Sequence, residues 1–312
     1  MSALRLGTRA SALARWQTAH VVALLHALDP DLAIETVELS SPGDELPEVP
    51  IEHMDGVGFF TSTLERALLA GEIDVAVHSF KDLPVEGSPD LVVAAVPPRA
   101  PAEDALCGRD RLTLAGLPAG ARVGTSSARR TAQLRALRPD LACVPLRGNV
   151  PTRLERVARR ELDAVVLARA GLERLGLAAH ITEVFPLARV LPAPAQGALA
   201  VQARAADAAL VRRLGALDDA DARRAVEAER ALLHALGGGC SVPVGAHATA
   251  SGARVALEAG VFDLDGGPAV RARVEAADAA SAGTGAARRL LAAGAGTILA
   301  AFAKQPRVTE AR

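Results

Sequence analysis

A cysteine set behind three glycines is the first residue in this chain that invites chemistry. Cys240 stands in GGGCSVPVG. Gly237, Gly238 and Gly239 lose more backbone freedom on folding than other residues, so a run of them suits a bend or a close approach. A free thiol on such a loop can be a nucleophile or an attachment point when its surroundings favour the thiolate. The competing reading is an ordinary cysteine beside a turn, and Cys107 and Cys143 sit in apolar contexts of that kind. A second candidate is Lys81–Asp82, just past an apolar run, with His78 and Ser79 before it. A carboxylate in a cleft can exchange protons or hold a ligand cation or N–H. An ion pair or a turn cap would need no ligand at all. The third candidate is a set of loop residues: Arg9 and Ser11; Ser126, Ser127, Arg129 and Arg130; Arg147 and Arg153 around GNVPT; and Arg174. Helix N-termini expose unpaired N–H groups, and guanidinium adds bidentate bonds to carboxylate or phosphate. Residue types do not separate those two anions, and solvated surface arginines would read the same way.

Other chemistries are disfavoured. GTSSARR lacks the glycine spacing and lysine of an ATPase phosphate loop, and RLGTRAS does not fit the dinucleotide fingerprint. The seven histidines are dispersed, with no HExxH or CxxC pattern for a metal. A formal net charge of -1 argues against broad nucleic-acid binding. No charge-free run reaches membrane-span length, and the N-terminal stretch is a poor signal peptide. With three scattered cysteines, the expectation is a cytoplasmic protein. Arginine is favoured across the whole chain, since Lys81 and Lys304 are the only lysines, so an arginine by itself means little.

The elements that must hold these residues can be read from periodicity. Residues 3–8 predict a strand and 11–28 an amphipathic helix; 32–39 predict a strand and 61–70 a helix. Residues 40–60 read as a long loop. Residues 73–77 predict a strand that delivers His78–Pro84 at its C-terminal end. Residues 91–96 predict another strand, and 97–103 resemble a hinge. Strand, loop and helix recur at 122–130, 141–161 and 162–177. Such alternation implies parallel sheets with crossover helices, whose ligands sit beyond the strand C-termini. Residues 191–202 read as a crossing segment and strand, 207–236 as helical, 254–276 as a hairpin or meander, and 286–302 as a terminal helix.

Seven stretches in one order carry a resemblance: LRLGTRASALARWQ, DVAVHSFKDLP, GTSSARR, LRGNVPTRL, AGLERLGL, PAQGALAVQ and GGGCSVPVGAH. Together they resemble the hydroxymethylbilane synthase (porphobilinogen deaminase) family over almost the whole chain. The resemblance implies an α/β fold of two periplasmic-binding-protein-like α/β domains, with a third smaller α+β domain carrying the cofactor cysteine. The expected division is 1–98 plus 195–215, then 99–194, then 216–312. The implied transferase joins four porphobilinogen molecules head to tail, releases four ammonia, and frees linear hydroxymethylbilane. It does so on a dipyrromethane primer attached through Cys240. The catalytic aspartate matches Asp82. Cofactor binding matches Lys81, Asp82, Ser127, Arg129, Arg130 and Arg147. Substrate binding matches Arg9, Ser11, Arg147, Arg153, Arg174 and Gln196. The implied partner is a small molecule, porphobilinogen, with no nucleic acid and no membrane. A monomer is expected, its product passing to the next enzyme of tetrapyrrole synthesis. A divergent, non-polymerising pyrrole-carboxylate or solute-binding protein is the alternative. Two departures from the family stand out: a lysine-poor stretch at His53, Asp55 and Val57, and Pro151 within RGNVPTRL. A proline near a helix start costs little, so Pro151 is expected to be tolerated.

Overall fold

Alternating apolar residues make Leu4–Arg9 (β1) a strand, and Ser11 then stops extension by capping Ala12–Leu28 (α1). The Ser11 Oγ accepts from the Ala14 N–H at 3.3 Å, satisfying one of the donors a helix start leaves open. Ile34–Leu39 (β2) follows, paired in parallel with β1. The computed structural model describes residues 3–39, 62–239, 242–252 and 254–304. The long loop expected at 40–60 and the lysine-poor stretch at His53, Asp55 and Val57 lie outside the described residues, as does Cys240.

The chain resumes with Ser62–Leu69 (α2), Val75–Ser79 (β3), a single 3-10 turn at Phe80–Asp82, and Leu91–Ala95 (β4). Leu6, Val75 and Val77 pack with Val21 and Leu25 of α1 on one side. Leu64, Leu68, Ile73 and Ala76 fill the other side. Each buried valine, leucine or isoleucine contributes roughly 1.5–3 kcal/mol by leaving water. Gly7 is required by this packing, because a Cβ there would collide with Ile73 and Leu64.

A second sheet is built from Asp104–Gly108 (β5), Arg122–Gly124 (β6), Ala142–Val144 (β7), Ala164–Ala168 (β8) and Glu183–Val184 (β9). Its helices are Ala128–Leu137 (α3), Val150–Ala158 (α4) and Arg169–Arg174 (α5). Pro151 sits in the first turn of α4, where its missing N–H is no loss. Leu199–Arg204 (β10) then returns to the first sheet. The helical stretch expected at 207–236 is broken: Ala208–Leu214 (α6) and Ala220–Ala235 (α7) are separated at Asp218–Asp219. Val244–Ser251 (β11), Arg254–Val261 (β12) and Val270–Ala276 (β13) form an antiparallel meander. Ala279–Ala292 (α8) and Ala295–Lys304 (α9) close the chain, divided at Gly294, whose φ is +97°.

The sheets correct one expectation. They are mixed, not wholly parallel. The first runs β2-β1-β3-β10-β4 and the second β7-β6-β8-β5-β9. In the first, β10 is antiparallel to β3 and β4; in the second, β5 is antiparallel to β8 and β9. Neither antiparallel strand is reached by a helical crossover from its neighbour, so the handedness argument for parallel pairing does not apply to it. The two sheets share one strand plan, a topological duplication without a visible sequence repeat. By contacts the chain forms two compact units. One is Met1–Ala100 with Ala198–Arg223; the other is Pro101–Gly197 with Arg224–Val308 and holds the second and third sheets. Among the described residues no single helix is long and apolar enough to cross a membrane.

Candidate active site

In the first unit the C-terminal ends of the neighbouring parallel strands β1 and β3 open onto a recess of about 100 Å³. Arg9, Ser11, Gln17, His78, Ser79 and Asp82 line it, over apolar walls from Leu13, Leu64 and Val77. Each arrives for a local reason. Arg9 ends β1 and Ser11 caps α1. Gln17 lies on α1 and donates from Nε2 to the Ser79 Oγ at 2.7 Å, tying the helix to the end of β3. The 3-10 turn brings Asp82 to the rim, where it is exposed; Lys81 beside it is half-buried. His78 is buried, and its Nε2 lies 3.0 Å from Gln202 Oε1. Burial pushes its pKa down to about 4, with the charge of Arg9 adding to the fall and the Gln202 hydrogen bond opposing it. The ring is therefore neutral at physiological pH.

In the second unit the arginines end in a buried cluster. Asp104 at the start of β5 is fully buried. One of its oxygens accepts from Arg129 Nη1 at 2.6 Å. The other accepts from Arg130 Nε and Nη2 at 3.0 and 2.7 Å and from Gln196 Nε2 at 2.9 Å. Burial alone would raise the Asp104 pKa, but the charges and hydrogen bonds of Arg129 and Arg130 outweigh it. The carboxyl is held well below the usual carboxylate range. Burial lowers the Arg129 pKa. Two guanidiniums against one carboxylate leave a buried surplus of positive charge. Among the described residues Arg129 Nε, also buried, has no hydrogen-bond partner. Ser127 caps α3, accepting from the Arg130 N–H at 3.5 Å. Arg147 is half-buried in the loop before α4, and Arg153 on α4 donates from Nε to the Gly148 carbonyl at 2.7 Å. Arg174 donates to the Gly197 carbonyl at 2.7 Å, and burial lowers its pKa to about 10.

The structure thus brings Arg9, Ser11 and Asp82 together, and separately brings Arg129, Arg130 and Gln196 together around Asp104. Reading the sequence missed Asp104, Gln17 and Gln202. A charged residue at the head of an apolar strand, EDALCG, was the available signal for Asp104. Nothing local marks Gln202, which meets His78 only through strand pairing.

Two α/β sheets of one plan, with arginine- and serine-rich strand-end loops and an added antiparallel sheet, define an α/β protein equipped for an anionic small molecule. The family described as "Porphobilinogen deaminase, dipyromethane cofactor binding domain" matches residues 4–212, and "Porphobilinogen deaminase, C-terminal domain" matches 223–292. The porphobilinogen deaminase of Nocardia farcinica is 50% identical over 308 residues, covering 95% of this chain and 88% of that protein. That of Syntrophotalea carbinolica is 45% identical over 303 residues, covering 96% of each. That of Thermobifida fusca is 49% identical over 293 residues, covering 92% and 91%. The chain belongs to the porphobilinogen deaminase family.

Proposed function

We propose that this chain condenses four porphobilinogen molecules head to tail with release of four ammonia, and frees linear hydroxymethylbilane by hydrolysis. The observation that carries the reading is the exposed Asp82 carboxylate on the rim of a recess that also presents Arg9. Porphobilinogen carries acetate and propionate groups, a pyrrole N–H and an aminomethyl group. Arg9 and Ser11 supply donors for its carboxylates. Asp82 accepts from the pyrrole N–H and stabilises positive charge on the ring as ammonia departs, a preorganised anion placed where a cation develops. It also accepts or returns a proton at the reacting carbon. Lys81 in one unit, and Arg147, Arg153 and Arg174 in the other, each add positive charge for ligand carboxylates.

The dipyrromethane cofactor of this family fits the donor set. The surplus charge over Asp104 and the unpartnered Arg129 Nε–H suit a carboxylate-bearing group, and Lys81, Asp82, Ser127, Arg129, Arg130 and Arg147 would hold it. When bound through the Cys240 sulfur, it supplies the tethered pyrrole end on which growth begins. The chain's own task is to hold that end and the incoming ring in one place, which makes each condensation intramolecular in effect.

Intact mass tests the reading. The purified protein is expected to exceed its chain mass by two linked pyrrole units, and Cys240→Ser to remove the excess. A wild-type protein of bare chain mass after porphobilinogen has been supplied would sink it.

A further inference from the structure

His78 lines the recess, Gln202 and Glu65 stand behind it, and none of the three has a part in the reaction as proposed. His78 Nε2 lies 3.0 Å from Gln202 Oε1, and Gln202 Nε2 donates to Glu65 Oε1 at 3.1 Å. The direction of this chain is forced. A carboxylate offers only acceptors, so the Gln202 group facing Glu65 is its NH2. The Gln202 carbonyl oxygen then faces His78 and takes a donor from it, which places the ring proton on Nε2. A neutral imidazole has one donor and one acceptor, so Nδ1 is the acceptor. The ring is 5% exposed and lines the recess. Among the described residues Gln202 is its one hydrogen-bond partner, so Nδ1 is left to a ligand. The charged groups around the ring are Arg9 from β1, Asp82 from the 3-10 turn and, behind Gln202, Glu65 from α2.

We propose that His78 is a specificity-determining residue: its Nδ1 accepts a hydrogen bond from an N–H of the bound substrate, and Gln202 and Glu65 fix the tautomer that permits it. The inference rests on the proposed function, in which the substrate's pyrrole and aminomethyl nitrogens are its N–H donors. Arg9 and Ser11 answer the ligand's carboxylates, and Asp82 and His78 answer its donors. The division between the last two has a physical sense. A neutral acceptor bonds an N–H without adding a second negative charge beside Asp82, so it selects a directed donor and not any cation. Gln202 and Glu65 act through His78 and are positioning residues.

The test uses holoenzyme labelled with 15N-histidine, the His78 signals being identified by their loss in His78→Asn. Near pH 7 the ring is expected to be neutral with its proton on Nε2, and excess porphobilinogen to move the Nδ1 resonance towards its hydrogen-bonded value. The double substitution Glu65→Gln with Gln202→Glu turns a carboxylate towards His78, raises the ring's pKa and converts Nδ1 into a donor. Its kcat/KM is expected to fall roughly tenfold below about pH 6.5, through KM, and to recover at higher pH. A merely structural histidine would not produce that new ionisation. An unmoved Nδ1 resonance in a protein that releases ammonia from porphobilinogen overturns the assignment and leaves the reaction standing. A wild-type holoenzyme that neither releases ammonia nor shows the shift overturns both. The wild-type measurement does not depend on the double variant and decides alone if that variant is unstable.

Discussion

The recess around Asp82 and the cluster around Asp104 use the same residue types in opposite ways. Asp82 is an exposed carboxylate on a single 3-10 turn, with Arg9 lining the same recess. Asp104 is a buried carboxylate wrapped by Arg129, Arg130 and Gln196. An exposed charge costs the fold little and remains available to a ligand. A buried one has been desolvated and is tolerable only while its partners stay. Under the proposed function the first aspartate serves chemistry and the second architecture, and substitution should separate them cleanly.

The largest expected effect is on stability. Asp104→Ala strands two buried guanidiniums and should cost about 3–5 kcal/mol, read as a lowered urea midpoint. A midpoint within experimental error of wild type would dissolve the distinction. Asp82→Asn should do the reverse. It should lower kcat by roughly 10²- to 10³-fold in an ammonia-release assay while leaving the melting temperature unchanged; an equal loss of stability would place Asp82 in the scaffold. Third comes pH. The unfolded His78 ring takes up its proton near 6.5 and the folded ring only near 4. The ring's contribution to stability should therefore fall as pH drops from about 6.5 to about 4 and level off below. At about 1.36 kcal/mol per pH unit the ring's share is about 3 kcal/mol. Comparing denaturation curves of wild type and His78→Asn isolates it, and parallel curves would rule it out. The smallest effect is expected for Arg147→Leu. Losing one charge-assisted contact is worth about 1.5–3 kcal/mol, an increase of roughly 10- to 150-fold in KM with the fold intact. An unchanged KM would remove Arg147 from the substrate's reach.

What could be read in the sequence was what is local. The β1–α1 unit, the strand before His78 and the placing of Arg9, Ser11 and Asp82 at strand ends follow from periodicity and a serine cap within one stretch of chain. The buried cluster was not legible as a cluster. Asp104, Arg129 and Gln196 are far apart in sequence and meet only because β5 runs against β8. The same holds for His78, Gln202 and Glu65, joined by the pairing of β3 with β10 and by α2. The strand Val244–Ser251 also went unread, since alanine, glycine and histidine give it little β character.

One feature of the first sheet reaches back to the ribosome. Its fourth strand in space, Leu199–Arg204, lies between Val75–Ser79 and Leu91–Ala95 but is translated more than a hundred residues after them. At roughly 5–20 residues per second that is a wait of about 5–20 s. Through it the two early strands hold unmet backbone groups at their edges, which are templates for wrong pairing. The amino-terminal sheet therefore finishes only after the whole of the second sheet has been made, and a nascent chain stalled before Leu199 should be the form most dependent on chaperones.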